Sequence, residues 1–346
     1  MGKHFFLLCS WAFLCLISGT LSAAENNYNV LFIQSYTNSA SWHDNLITGL
    51  QNGLEKGGVK ADVITEYLNA DFWTFASECV IMRRICERAR QRKTDLIVTS
   101  SDEAFFTLTH CGDSLPYQIP VVVSGIKYPD KKLFDRMPNV SGFTSKTDFN
   151  VLFEEAIRLF PARKEIVCLT DSSFLSSKGV EAVEDAWVAF KEKHPGYSLK
   201  KLNVQEKSLN TIITSICYDY HAYKHIVIAP KWIPFLSLKL KAPVFANQNL
   251  AMTSGVLCVY DVEPAADTYA AADILKGRSP DSFGVGDLDG KLLFDYKQLD
   301  FFHVDVESVE ERGTILNVPL MDRYRVWFIL FYSVTVGALA FFVAWL

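Results

Sequence analysis

Short apolar runs, polar turns and amphipathic stretches alternate along most of this chain. "NVLFIQ" has the length and composition of a buried strand. A polar loop, "SYTNSASWHDN", follows, and then a helix predicted over 44–56 with Leu46, Ile47, Leu50 and Leu54 on one face. Gly57 and Gly58 are a stop signal for it. "ADVITEY" is the next strand. The helix predicted over 75–92 carries Phe75, Cys79, Met82, Cys86 and Ala89 on one stripe. Its other face is basic (Arg83, Arg84, Arg88, Arg90, Arg92), which reads as a solvated face or as an anion site. "DLIVTS", a helix over 103–110 and "IPVVVSG" complete a first series.

A second series has helices at 149–160, 176–194, 209–220 and 232–238 between the strands "EIVCLT", "SLKKLNV", "HIVIAP" and "PVFAN". "GVLCVYD", a helix over 265–276 and a last strand "DFFHVDV" come after these. Apolar runs bounded by turns suit parallel sheets covered on both faces. Two such series in succession predict an α/β protein with two doubly wound parallel-sheet lobes.

The two ends fit neither pattern. Residues 1–24 have a short basic start, an apolar run and small residues before Glu25, with Ser22 and Ala24 at the −3 and −1 positions of a cleavage site. That is the layout of a secretory signal peptide, the alternative being an uncleaved anchor. Residues 326–346 carry no charge. As a helix they would be about 30 Å long, the thickness of a bilayer core. With the signal peptide, this places the intervening residues outside the cytoplasm and the last helix across a membrane. Arg323 and Arg325 flank that helix on its outer side, and no Lys or Arg flanks it on the inner side. The positive-inside rule expects the reverse, so a cytoplasmic output module beyond Leu346 is expected. A simple C-terminal tether is the plainer alternative.

Composition narrows the class of partner. A net charge of −5 argues against nucleic acid. The exported part holds Cys79, Cys86, Cys111, Cys168, Cys217 and Cys258 at irregular spacings, without a CxxC pair, so a zinc site is not expected. Buried thiols suit most of these, and a bridge from Cys79 or Cys86 to Cys111 stays open. None of the seven histidines forms HxH or HExxH, and no GxGxxG or GxxxxGK[ST] occurs. "DSSFLSS" lacks the glycines of a nucleophile elbow. No catalytic residue, metal or cofactor is therefore expected.

In parallel sheets, ligands bind beyond the carboxyl ends of the strands, so the loops there supply the candidate site. They give Ser35, Tyr36, Trp42 and His43; Ser100, Ser101 and Asp102; Gly125 and Lys127; Asp171 and Ser172; Lys231 and Trp232; Asn247 and Gln248; and Asp261. Each has a structural alternative. Ser and Asp cap helices. Trp42 and His43 could belong to a capping loop, Lys231 could be a surface lysine beside a core Trp232, and Asn247 and Gln248 could serve a turn. Aromatic and hydrogen-bonding groups together favour an amino-acid-like or ring-bearing small molecule.

"TDLIVTSSDEAF", "IPVVVSGIKYPD", "NVSGFTSKTDF" and "YDVEPAADTYAAADILKGRSPDSF" resemble, in order and spacing, the type I periplasmic substrate-binding proteins of the ABC-transporter substrate-binding family. The resemblance covers roughly residues 29–306. It implies two hinged lobes, reversible binding of a small molecule, and crossings near 142–144, 259–263 and 292–300. The division it suggests is lobe 1 at 25–143 with 262–292, lobe 2 at 144–261 with 293–306, a linker at 307–325 and a membrane helix at 326–346. A membrane span departs from the soluble members of that family. It looks instead like the extracytoplasmic sensor part of a bacterial receptor of the sensor histidine kinase type, a homodimer anchored in the inner membrane. The alternative is a membrane-tethered binding protein of an ABC importer.

Overall fold

The computed structural model describes residues 27–36, 41–70, 74–171, 173–204, 225–229, 241–247, 255–262 and 269–346, with the backbone alone of 41–45, 269 and 325. The expected signal peptide and the helices expected at 209–220 and 232–238 lie outside the described residues. Strand β1 (Tyr28–Gln34) buries Val30 and Phe32 on one face and Leu31 and Ile33 on the other. A strand apolar on both faces belongs in the middle of a sheet covered twice. It is followed by α1 (Ser41–Lys56), β2 (Ala61–Tyr67), α2 (Phe75–Gln91), β3 (Leu96–Ser100), α3 (Asp102–Cys111), β4 (Val121–Ile126) and β5 (Val140–Thr144). These strands pair in parallel in the order β2-β1-β3-β4-β5. Helices α2 and α3 cover one face with Met82, Ile85, Ala104 and Leu108, and α1 covers the other with Leu46, Leu50 and Leu54. A disulfide joins Cys79 to Cys111, one of the two pairings left open, and Cys86, Cys168 and Cys258 are buried thiols.

The chain crosses to the second lobe after Thr144. Asp148 caps α4 (Phe149–Leu159), its carboxylate accepting from Asn150 N at 2.9 Å. Then come β6 (Glu165–Thr170), α5 (Phe174–Lys193), β7 (Ser198–Asn203), β8 (His225–Ala229), β9 (Val244–Ala246) and β10 (Cys258–Asp261). They form a second parallel sheet in the order β7-β6-β8-β9-β10. Phe153, Phe190, Phe245 and Phe294 are wholly buried in its core. The expected two-lobed α/β architecture is thus present.

From β10 the chain returns to the first lobe. Helix α6 (Tyr269–Leu275) packs Ala271, Ile274 and Leu275 beside α1, and β11 (Val285–Asp287) pairs with β5. The final crossing is at 288–290, earlier than the expected 292–300, because β12 (Lys291–Asp295) already belongs to the second sheet, antiparallel to β10. The strand "DFFHVDV" expected over 300–306 is not formed: helix α7 (Tyr296–Phe301) ends on its first two residues and a turn follows. Leu299 and Phe302, three residues apart, both face the second core, which is helical spacing.

Residues 307–325, expected as a linker, are largely built into lobe 2. A one-turn helix, Glu307–Glu310, buries Val309, and β13 (Gly313–Leu316) pairs in parallel with β12. Arg312 Nε donates to Glu155 Oε2 at 2.7 Å, and the side chain of Glu155 is wholly buried. Burial on that scale couples the segment to the lobe. Helix α8 (Arg325–Trp345) comes next, exposed along its length and long and apolar enough to cross a bilayer.

Gly142 shows how tightly β5 is held. Its φ is +128°, and a Cβ there would lie 2.1 Å from the Val123 carbonyl oxygen. Backbone cannot yield as a side-chain tip can. Gly142→Ala should therefore lower unfolding stability by about 2–4 kcal/mol, read as a drop in the denaturant midpoint, while Val188→Ala on the exposed face of α5 should leave it within about 0.5 kcal/mol.

Candidate functional site

Both parallel sheets point the carboxyl ends of their strands at the gap between the lobes. On the lobe 1 side, β1 ends beside β3, and the Ser35 hydroxyl is engaged twice. It donates to the Ser100 carbonyl at 2.7 Å and accepts from Ala104 N at 2.9 Å, in the first turn of α3. Ser101 takes φ +71° at the N-cap of α3 and donates its N–H to the Ser124 carbonyl at 2.9 Å. That sharp turn places Asp102 and Glu103 at the helix start, where the helix dipole favours negative charge.

Asp102 is nearly inaccessible, and its carboxylate accepts from Lys127 N at 2.9 Å and Tyr128 N at 2.8 Å. It therefore fixes the loop after β4, which leaves the sheet by an irregular turn at Gly125, φ +70°. Burial pushes the Asp102 carboxyl up from its ordinary value, opposed by those two N–H groups and by the Lys127 charge. Glu103 Oε1 accepts from the Tyr36 hydroxyl at 2.8 Å.

From this loop two side chains reach lobe 2. The Lys127 ammonium donates to the Asn247 carbonyl at the end of β9. The Tyr128 hydroxyl accepts from Asn247 Nδ2 at 2.8 Å, and Thr147, in the first crossing, lies 3.2 Å from the same nitrogen. Burial lowers the Lys127 amine from an ordinary value of 10.5 to about 8, while Asp261, Asp102 and Glu103 hold it up. Burial also raises the Tyr128 phenol, so it stays protonated. Phe106 of α3 stacks on Phe174 of α5 at 4.1 Å between ring centres, the aromatic edge of the same contact. The arrangement can hold two lobes together through a few polar groups. It can also present buried acceptors and donors to a guest. Among the described residues, Asn247 Oδ1 and the Ser100 and Ser145 hydroxyls are buried without a hydrogen-bond partner.

The structure brings Ser100, Ser101, Asp102, Gly125, Lys127, Asn247 and Asp261 to this gap, with Tyr36 beside Glu103. Ser35 is there too, with its hydroxyl committed to holding α3 on β1. Asp171 Oδ1 accepts from Ser173 N at 2.8 Å, in the turn that opens α5. Trp42 and His43 lie within the first turn of α1 rather than in a loop before it, and their side chains are not described. Ser172, Lys231, Trp232 and Gln248 lie outside the described residues. The sequence pattern did not single out Glu103, Tyr128 or Thr147. Glu103 and Tyr128 adjoin candidate residues, in "SSDEAF" and "GIKYPD". Thr147 lies just past the crossing expected at 142–144, but that its hydroxyl meets Asn247 shows only once both lobes are folded.

No family model matches the chain, and no curated protein matches its sequence. Solved structures do match in fold. A conserved domain protein from Vibrio cholerae has a TM-score of 0.64 at 16% identity, over 84% of this chain and 99% of that one. An ABC domain in complex with L-Trp from Streptococcus pneumonia has 0.63 at 18% identity, over 84% and 100%. A ligand-free, open substrate-binding protein with adhesive properties from Clostridium difficile has 0.62 at 16% identity, over 84% and 100%. The fold is therefore that of the two-lobed periplasmic binding proteins.

The lowered Lys127 amine has a consequence for stability. Between about pH 8 and 10.5 the unfolded chain binds more protons at this residue than the folded one, so folding gains stability as pH rises through that window. The wild type should gain on Lys127→Met there, and the gap between the two should be flat below about pH 8. Melting temperatures of both proteins from neutral pH upward check this.

Proposed function

We propose that this chain is an extracytoplasmic binding protein that closes two lobes on a small molecule, is anchored in a bacterial inner membrane by α8, and works as the input part of a receptor. The observation that carries the reading is the interlobe contact of Lys127 and Tyr128 with Asn247, at the point where the strand ends converge. Contacts of that size suit a reversible hinge. Hydrogen bonds contribute about 1 kcal/mol net each. Moving a two-state hinge from mostly open to mostly closed takes ~5.5 kcal/mol. A ligand making five or six such bonds across the gap is sufficient. Binding, with no chemistry done on the ligand, accounts for every group placed here.

Asn247 Oδ1 and the Ser100 hydroxyl, which have no partner among the described residues, suit a ligand rich in hydrogen-bonding groups. Tyr36, Phe106, Tyr128 and Phe174 suit one that carries a ring. An amino-acid-like or ring-bearing compound combines the two, and L-Trp in the Streptococcus pneumonia relative supports that class. Asp171, with Ser172, Lys231, Trp232, Gln248, Trp42 and His43, would complete the walls.

Receptor and importer differ in how the binding protein should be held. A protein that delivers cargo to a permease needs a long, loose tether to dock. Here β13 is hydrogen-bonded into the second sheet, and 317–324 is all that separates it from α8. That favours the receptor, in which closure alters how two copies of the chain sit together and α8 conveys the change to an output module. The likeness to ABC substrate-binding structures keeps the importer as the second reading.

The test is a thermal-shift screen of the full chain in nanodiscs against amino acids, aromatic amines and acids, sugars and short peptides. A ring-bearing amino compound should raise the melting temperature. Lys127→Met and Asn247→Ala should each weaken that compound at least about tenfold, the equivalent of 1.4 kcal/mol. Silence across all classes, or a shift that neither substitution changes, sinks the reading.

A further inference from the structure

The chain leaves lobe 2 at the end remote from the ligand gap. Strand β12 starts opposite Asp261, at the gap, and runs antiparallel to β10, so that Phe294 pairs with Cys258 near the far end. Strand β13 copies that direction and finishes at Leu316 beside Asp295. The residues after Leu316 are fastened down. Asn317 Nδ2 donates to Asp295 Oδ1 at 2.9 Å, and the Tyr296 hydroxyl donates to Asp322 Oδ2 at 3.0 Å. The start of α8 is thereby fixed relative to lobe 2.

The last turn before α8 is apolar on its outside. In the one-turn helix Leu320–Arg323, Leu320 is 68% and Met321 65% exposed, and the adjoining Tyr324 is 46% exposed. Large apolar groups in that position are costly in water and favourable at a bilayer boundary, and tyrosine prefers the headgroup level. The same end of the lobe carries exposed Lys164 before β6, Lys193 at the end of α5, Lys241 before β9, Lys297 at the start of α7, and Arg323. Among the described residues the exposed acids at those element ends are Glu192, Asp300 and Asp322, the last of them bonded to Tyr296, and Asp305 and Glu307 follow α7. The lysines and Arg323 at the element ends suit anionic headgroups.

We propose that this end of lobe 2 is a lipid-contacting face, with Leu320, Met321 and Tyr324 in the bilayer boundary and the lysines on anionic headgroups. Lobe 2 then stands on the membrane as a fixed base, and lobe 1 is the lobe that moves when ligand binds. The inference rests on α8 spanning the membrane, and continuity with α8 is what selects lipid over a second copy of the chain as the occupant.

The test uses the full chain in nanodiscs, with an environment-sensitive dye on single introduced cysteines and lipids brominated near the glycerol or along the acyl chain. Gly337→Cys lies mid-way along α8, where added atoms meet nothing within 4 Å. Val188→Cys lies on α5, 64% exposed. Unsubstituted protein gives the background from native thiols. The expected result is quenching of Gly337→Cys by acyl-chain bromine, at least twofold quenching of Met321→Cys by glycerol-level bromine, and a bright Val188→Cys. Met321→Cys as bright as Val188→Cys overturns the proposal, since the lobe then stands clear of the lipid. Met321→Cys shielded from iodide but unquenched by bromolipid also overturns it, in favour of a protein partner. An unquenched Gly337→Cys instead overturns the membrane reading of α8 itself. Replacing phosphatidylglycerol by phosphatidylcholine should reduce Met321→Cys quenching about twofold in the wild-type background and leave Lys164→Glu/Lys297→Glu unchanged. An equal effect in both overturns the headgroup contact.

Discussion

A parallel strand covered on both faces has its backbone polar groups satisfied by its neighbours except at its two ends. The proposed site depends on where those ends lie. Two such sheets, joined by crossings at their edges, turn their carboxyl ends toward each other. Loops that would otherwise be ordinary surface then share a narrow space. Serine, aspartate and asparagine gather there because helix starts and strand ends demand them, and the same groups are free to serve a ligand only where the frame does not use them up. Ser35 is used up, holding α3 to β1. Asn247 keeps a buried oxygen without a partner among the described residues.

Electrostatics sharpens that distinction. Asp102 loses solvation on burial and recovers part of it from two backbone N–H groups. In doing so it sets the loop that carries Lys127 and Tyr128 to the other lobe. A carboxylate that looks like a ligand contact is thus also the positioning element for the interlobe contact. The ammonium it helps to hold is itself short of solvation, which makes the bridge easy to exchange for other partners. The proposed hinge would need contacts of that kind, strong enough to define a closed form and weak enough to give way.

The second lobe has another task. Its added strands β12 and β13 reverse the chain, carry it away from the gap and tie it to the core through Arg312 and Glu155. Lobe 2 and the start of α8 are in consequence one mechanical unit. On the proposed reading, motion between the lobes would reach the membrane through the position of lobe 1, and not through a strand tugged at the root of the helix.

The sequence by itself determined the α/β class, the two series of strands and the apolar terminal helix, because strands buried on both faces leave continuous apolar runs and an exposed span leaves an uncharged one. The central strands β1, β3, β4, β6 and β8 were legible for that reason. Strands β11, β12 and β13 were not. They are three to five residues long and lie at or near a sheet edge, where one short run resembles any loop. Residues 300–306 read as strand because the apolar run that Phe301 and Phe302 open masks the three-residue spacing of Leu299 and Phe302. The strand-end loops pointed to Asp102, Lys127 and Asn247 without revealing that they touch. Lys127 and Asn247 are 120 residues apart, and only the packing of two lobes brings one to the other. Local pattern decides what each segment becomes; which polar group is spent on the frame and which is left for a guest is decided by contacts between segments that share no pattern.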